Sequence, residues 1–260
     1  ASNNAILTLP TPGESGSLAN TKAIVVDGIP ASVVSVSSTS DNGAYKIGDE
    51  VVITVQFNEV VTVTGIPQLT LETGSNDGVA SYSIGSGTNT LSFIYTVTVG
   101  HASSDLEYNS NTSLALNNGV VQDLAGNNVN LTLPTVSETG SLATNKALII
   151  DGVFATVDSV SAITANGYYK AGDTLSITVH FDENVNVTGT PQLVLETGPN
   201  DATVYYTSGT GTSILTFQYI AGEGHLNTDL GYVNTSSLSL NNGLIRDIAG
   251  NDATLTLAEP

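Results

Sequence analysis

The sequence predicts an all-β protein built from two tandem copies of one domain, and three observations carry that prediction. The first is an internal repeat. Asp27-Gly28 returns as Asp151-Gly152, Gly48-Asp49 as Gly172-Asp173, Pro67-Gln68-Leu69 as Pro191-Gln192-Leu193, and Asp123 with Asn127 as Asp247 with Asn251, always 124 residues on. The second is hydrophobic alternation with a period of two, which places one side of a strand in a core and the other in solvent. The third is Asn-Gly and Gly-rich punctuation between the alternating runs, where the backbone needs positive φ.

Taken in chain order, the elements repeat in pairs. Val51, Ile53, Val55 and Phe57 alternate with Val52, Thr54 and Gln56, and the second copy answers with Leu175, Ile177, Val179 and Phe181. Leu91, Phe93 and Tyr95 form the next such run, matched by Leu215, Phe217 and Tyr219. Between these runs stand Asn42-Gly43, Gly85-Ser86-Gly87 and Asn118-Gly119, with partners Asn166-Gly167, Gly209-Thr210-Gly211 and Asn242-Gly243. Leu114 to Val121 reads as a β-hairpin closed at Asn118-Gly119. No segment sustains a helical period. Several short strands with turn signals every 8 to 12 residues, in a unit of about 120, predict an immunoglobulin-like β-sandwich.

In-register Leu-Thr-Leu runs at 7–9, 131–133 and 255–257 suggest the divisions. Residues 1–16 are then a strand and linker left over from a preceding repeat, 17–133 the first domain, 134–140 a linker and 141–257 the second. A cut at Asp27 and Asp151 is the alternative. Because the chain opens partway through a motif that recurs, it reads as a piece of something longer.

Composition removes whole classes of function. With 5 Lys and Arg against 24 Asp and Glu, the formal charge is −19, which repels a phosphate backbone and excludes nucleic acid as a partner. The absence of cysteine rules out disulfides, thiolate nucleophiles and thiolate-held zinc or iron-sulfur groups. The longest apolar runs, Ala23 to Val26 and Ala147 to Ile150, are far shorter than the roughly 20 residues that span a bilayer, so no membrane insertion is expected.

Asp27-Gly28-Ile29-Pro30, Tyr45-Lys46-Ile47-Gly48-Asp49, Val55 to Val61, Asp105-Leu106-Glu107-Tyr108 and Asp123-Leu124-Ala125-Gly126-Asn127 together resemble the tandem bacterial Ig-like repeats of giant surface adhesins. That family includes biofilm-associated adhesins exported by type I secretion and the cyanobacterial cell-surface protein needed for swimming. The resemblance covers nearly the whole chain, with Phe154 standing where the first copy has Pro30. It implies an extracellular or cell-surface stalk module for cell adhesion, with neighbouring repeats as its partners and calcium at or near domain junctions.

Sixteen of the 24 acids occupy equivalent positions in both copies. In an Ig-like sandwich the start of the first strand, the loop after an inner strand and the last hairpin loop gather at one end. This would cluster Asp27, Glu59, Asp123 and Asn127 in one copy, and Asp151, Glu183, Asp247 and Asn251 in the other. Such oxygen-rich clusters suit calcium, a hard cation that takes several oxygen ligands. The structural alternative is turns closed by their own side chains.

His101 and His225 precede Asp105 and Asp229 by four residues, but nothing nearby completes a metal pair or catalytic dyad, and a loop turn is the simpler reading. Tyr108 and Tyr232 stand where Ig-like folds place a tyrosine corner. Lys46 and Lys170 suggest charged strand ends that discourage edge pairing rather than Lys–Asn crosslinks. No enzyme is expected. The rival reading is a carbohydrate- or ligand-binding adhesin module, although tryptophan, the usual platform residue, is absent and only Tyr45, Tyr168 and Tyr169 remain as candidates.

Overall fold

The computed structural model describes residues 3–260. Apart from two single-turn helices, α1 (Leu18–Thr21) and α2 (Leu142–Asn145), its regular structure is all β. The first copy contributes β1 (Val33–Ser38), β2 (Gly43–Lys46), β3 (Glu50–Thr64), β4 (Gln68–Glu72), β5 (Gly78–Ile84), β6 (Thr88–Thr96), β7 (Ala102–Ser103), β8 (Glu107–Tyr108), β9 (Leu114–Ala115) and β10 (Val120–Asp123). After β11 (Leu148–Asp151), the second copy contributes β12 (Val157–Ala162), β13 (Thr174–Thr188), β14 (Gln192–Glu196), β15 (Ala202–Ser208), β16 (Thr212–Ile220), β17 (Gly231–Tyr232), β18 (Leu238–Ser239) and β19 (Leu244–Asp247). No described helix is long and apolar enough to cross a membrane.

Each copy forms a curled antiparallel sheet of eight strands. The order is β1-β3-β6-β5-β4-β8, with β10 also on β3 and β9 on β4, and the second copy follows the same plan as β12-β13-β16-β15-β14-β17, with β19 on β13 and β18 on β14. The alternation seen in the sequence sets the register of the central pair. Val51, Ile53 and Val55 lie opposite Tyr95, Phe93 and Leu91, and all six are buried. Leu175, Ile177 and Val179 lie opposite Tyr219, Phe217 and Leu215 in the same way. Such directly opposed apolar pairs on one face hold a sheet in register, because a one-residue slip would turn every one of them to solvent.

Strand β3 serves two partners on one edge. Its first half pairs with β1, and Val61 to Thr64 pair with β10. Between the halves the ladder to β6 jumps from Gln56↔Thr90 to Val61↔Thr88, so extra residues bulge out of β3 around Glu59. Bulges bend a strand and re-aim its side chains. The same jump, from His180↔Ile214 to Val185↔Thr212, occurs around Glu183.

Two expectations need correction. Leu114 to Val121 is not a hairpin: β9 pairs with β4 and β10 with β3, so the chain crosses from one strand's edge to the other's. The tight turn is present, with Asn117 and Asn118 at φ 48° and 61° and the Gly119 N–H donating to the Leu116 carbonyl at 2.7 Å. It packs against Gly65 so closely that a Cβ on Gly119 would stand 2.6 Å from the Thr64 carbonyl oxygen.

The second correction concerns the division of the chain. Residues 141–151, assigned from sequence to the second domain, complete the core of the first. Leu142, Leu148 and Ile150 belong to the buried cluster that begins at Ala31, whereas the second cluster begins at Ala155. Strand β11 runs parallel to β2 and antiparallel to β7, making a three-stranded sheet found in the first copy. Glu107, itself buried, accepts hydrogen bonds from the Leu142 and Ala143 N–H groups at 3.1 and 3.2 Å. The boundary between cores therefore follows the alternative cut at Asp151. The apolar run at 147–150 goes where a sheet edge and an open core can receive it.

Candidate metal centres

The bulge in β3 and the end of β10 bring two carboxylates together. Asp123 closes β10 opposite Val61, two residues past Glu59. Asp27 arrives from the other direction, its carbonyl accepting from the Asn127 Nδ2 at 3.2 Å. Carboxylate oxygens of Asp27, Glu59 and Asp123 lie within 4.8 Å of one another, and those of Asp151, Glu183 and Asp247 do the same in the second copy. Asp123 and Asp247 are buried and the other four half-buried. All six carboxylates anticipated from sequence thus converge.

Asn127 and Asn251 sit beside these triads but present their amide NH2 groups to them. Asn127 Nδ2 donates to Asp123 Oδ2 at 2.8 Å, and its backbone N–H reaches Asp123 Oδ1 at 2.9 Å. Asn251 Nδ2 donates to Asp247 Oδ2 at 2.8 Å and to the Asp151 carbonyl at 3.0 Å. In this arrangement each asparagine orients a carboxylate, which differs from the ligand role expected of it. Asn251 Oδ1 faces the other way and accepts the Ile47 N–H of the first unit at 2.9 Å. No sequence signal announces that contact, because the donor is a backbone group. Asn251→Ala is expected to lower thermal stability more than Asn127→Ala, since it strands the Ile47 N–H as well as a buried carboxylate. A buried polar group left without its partner costs about 1 to 3 kcal/mol.

Burial, reinforced by the crowding of like charges, raises Glu59, Asp151 and Glu183. Burial, followed by the charges of Asp151, Asp247 and Asp182, pushes Glu183 up to about 7. Burial and the charges of Asp27 and Asp123 raise Glu59 as well. Asp151 is raised by burial and by the charge of Asp247, against a hydrogen bond from Val153. For Asp123, burial is outweighed by hydrogen bonds from the side chain and backbone of Asn127 and from the Ala125 and Gly126 backbone, so it stays below the usual carboxylate range. Each triad is a site whose full negative charge is disfavoured until a cation offsets it.

The remaining candidates take structural roles. His101 Nδ1 is 2.8 Å from the Tyr95 hydroxyl with the rings stacked, and His225 repeats this with Tyr219. These histidines satisfy the hydroxyls of inward-facing tyrosines. The Tyr108 hydroxyl donates to the Pro134 carbonyl and that of Tyr232 to the Ala258 carbonyl, each 26 residues onward. Lys46 and Lys170 pair with Asp49 and Asp173 at 3.6 and 2.8 Å.

The fold and the triads define a two-unit β protein with paired acidic centres. No protein-family model matches the chain, and no curated protein sequence matches it.

Proposed function

We propose that the chain is a spacer segment of a repetitive bacterial adhesin, secreted or displayed at the cell surface. In this reading each unit is an immunoglobulin-like β-sandwich and the junctions are stiffened by calcium. The donor chemistry supports that ion. The triads offer carboxylates with carbonyls nearby, whereas zinc and copper prefer thiolate or imidazole ligands. Calcium would supply two positive charges at a point where three carboxylates crowd together.

One observation carries the reading: the second triad straddles the two units. Asp151 ends β11, which is built into the first unit, while Glu183 and Asp247 belong to the second. Asp151, Glu183 and Asp247 holding one cation would fasten the units to each other, in addition to the Asn251–Ile47 hydrogen bond. Asp27, Glu59 and Asp123 repeat the arrangement at the other end, where a preceding repeat would meet the first unit. The exposed Tyr168 and Tyr169 give sugar binding little support, because the repeat partner of Tyr168 is Ala44 and tryptophan is absent.

Small-angle X-ray scattering on the chain tests the reading. In calcium the pair-distance distribution is expected to be that of one extended body, broadening when a chelator is added. Identical profiles in the two conditions would reject the stiffening role.

A further inference from the structure

We propose that the opening and closing segments of the first unit form a mechanical clamp, so that tension applied through its two ends shears them lengthwise and must break their bonds together. The inference goes beyond the spacer role and needs neither that role nor the ion. The direction of each strand carries it. Strand β3 begins at Glu50, just after a turn in which the Asp49 N–H donates to the Lys46 carbonyl at 3.0 Å, and its far half holds Val61 opposite Asp123. Lys46 pairs with Asp151, while Asn127, which hydrogen-bonds Asp123, also bonds the Asp27 carbonyl. The two ends of β3 therefore mark an Asp151 end and an Asp27 end of the unit.

Strand β1 pairs Val33 with Phe57 and Ser38 with Ile53, so it starts at the Asp27 end and runs toward the other. Strand β2 continues to the Lys46–Asp49 turn, and β11 runs parallel to β2 and leaves the unit at Asp151. A pull on the residues before β1 draws that strand lengthwise out of one end. A pull on Gly152 draws β11 lengthwise out of the other.

The two segments lie side by side and are bonded directly to each other. The Val36 N–H donates to the Gly140 carbonyl at 2.8 Å, and the Val36 carbonyl accepts from Asn145 Nδ2 at 2.8 Å. Lys146 Nζ donates to the Ser40 carbonyl at 2.7 Å, and the Gly43 N–H to the Ala147 carbonyl at 3.1 Å. From there the β2–β11 ladder continues to Lys46↔Asp151. These bonds cross the direction of pull, so each carries a share of the force, whereas the bonds of a strand peeled from one end fail one after another. Leu142, Leu148 and Ile150 are buried against the same segment, so a broken bond on that side finds no water to replace it.

The exit of the chain is fastened as well. The Gly152 N–H donates to the His101 carbonyl at 2.7 Å, and the Gly152 carbonyl accepts from the Gly100 N–H at 2.8 Å. A Cβ on Gly152 would overlap the Thr98 carbonyl oxygen, so only glycine lets the chain lie this close. Resistance to force is set by the barrier to unfolding and not by the folding free energy. Bonds of the clamp should therefore govern rupture out of proportion to their share of thermal stability.

Single-molecule force spectroscopy on the whole chain, in chelator, tests this. Because the chain has no cysteine, Gly28→Cys and Phe154→Cys place handles just outside the core that runs from Ala31 to Ile150, and the second unit carries no load. The first unit is expected to open in one release of about 40 nm, the extended length of the residues between the handles less their folded span. Moving the first handle from Gly28 to Lys46→Cys peels β11 from β2 at their shared end and should open it at about half the force or less, because forced opening follows the barrier. With the original handles, Asn145→Ala combined with Lys146→Met should lower the rupture force more than Leu69→Ala does. Leu69→Ala truncates a fully buried residue of β4, outside the clamp, and should lower the melting temperature more. A short early release confined to residues 131–151 overturns the proposal, and so do equal forces in the two geometries or rupture forces that follow the order of melting temperatures.

Discussion

Leu142→Ala is expected to destabilise the first unit by about 2 to 5 kcal/mol, while Leu18→Ala, the same change one repeat earlier, costs less than about 0.5 kcal/mol. Leu142 is buried in the core that begins at Ala31, and truncating it leaves a cavity as well as losing transfer free energy. Leu18 lies on the surface and leaves no cavity. In a unit of this size each kcal/mol moves the melting midpoint by roughly 3 to 5 °C. Hydrogen exchange assigns the loss: amides of Val51 to Phe57 should lose protection while those of Leu175 to Phe181 keep theirs. Equal effects of the two substitutions, or an effect of Leu142→Ala on the second unit alone, would contradict the placement of α2 and β11.

Glu183→Gln is expected to change sign with calcium. In chelator at pH 8 it should raise the melting temperature, because the folded site resists the Glu183 charge. In calcium it should lower it, because one ligand is lost. The sign follows from linkage. Glu183 sits at about 7 in the fold against an ordinary 4.5, so the folded state holds its proton more tightly than the unfolded chain. That contribution is complete below the ordinary value and disappears as pH rises through about 7, so metal-free stability should fall across this window. With calcium the slope reverses, since ligands must lose their protons to bind the ion, and affinity should weaken by about tenfold per pH unit below neutrality. Binding that reached one hundred times Kd would add about 2.7 kcal/mol. Melting curves from pH 4.5 to 8 with and without calcium measure all of this, and parallel slopes would remove the metal from the account.

Much of this was readable from residues alone, for physical reasons that also explain what was not. Val51 to Phe57 and Leu91 to Tyr95 show their strand and their buried face because alternation is a local signal. Asp27, Glu59 and Asp123 stand out because they recur at fixed spacing, and the bulge in β3 then brings them together. The asparagine roles were not legible, because whether an amide presents its oxygen or its NH2 depends on which groups surround it. The crossing at Asn117-Asn118 was missed for a similar reason: the turn is local, but the partners of the strands it joins lie elsewhere. The division between units was hardest. Ala23 to Val26 and Ala147 to Ile150 are both an alanine followed by three branched aliphatic residues, yet the first run is exposed throughout while the second buries Leu148 and Ile150. No property of either run alone distinguishes them.

The position of β11 also dictates an order of events during synthesis. Ile150 pairs with Tyr45, 105 residues earlier in the chain, so the three-stranded sheet cannot close until the chain has been made well past Leu133. Closing so long a loop is slow compared with forming the adjacent pairing of β5 with β6. Until then the first unit is an unfinished core with the residues around Leu106 and Tyr108 uncovered. The first unit is finished only when the residues just ahead of the second unit's core have been made.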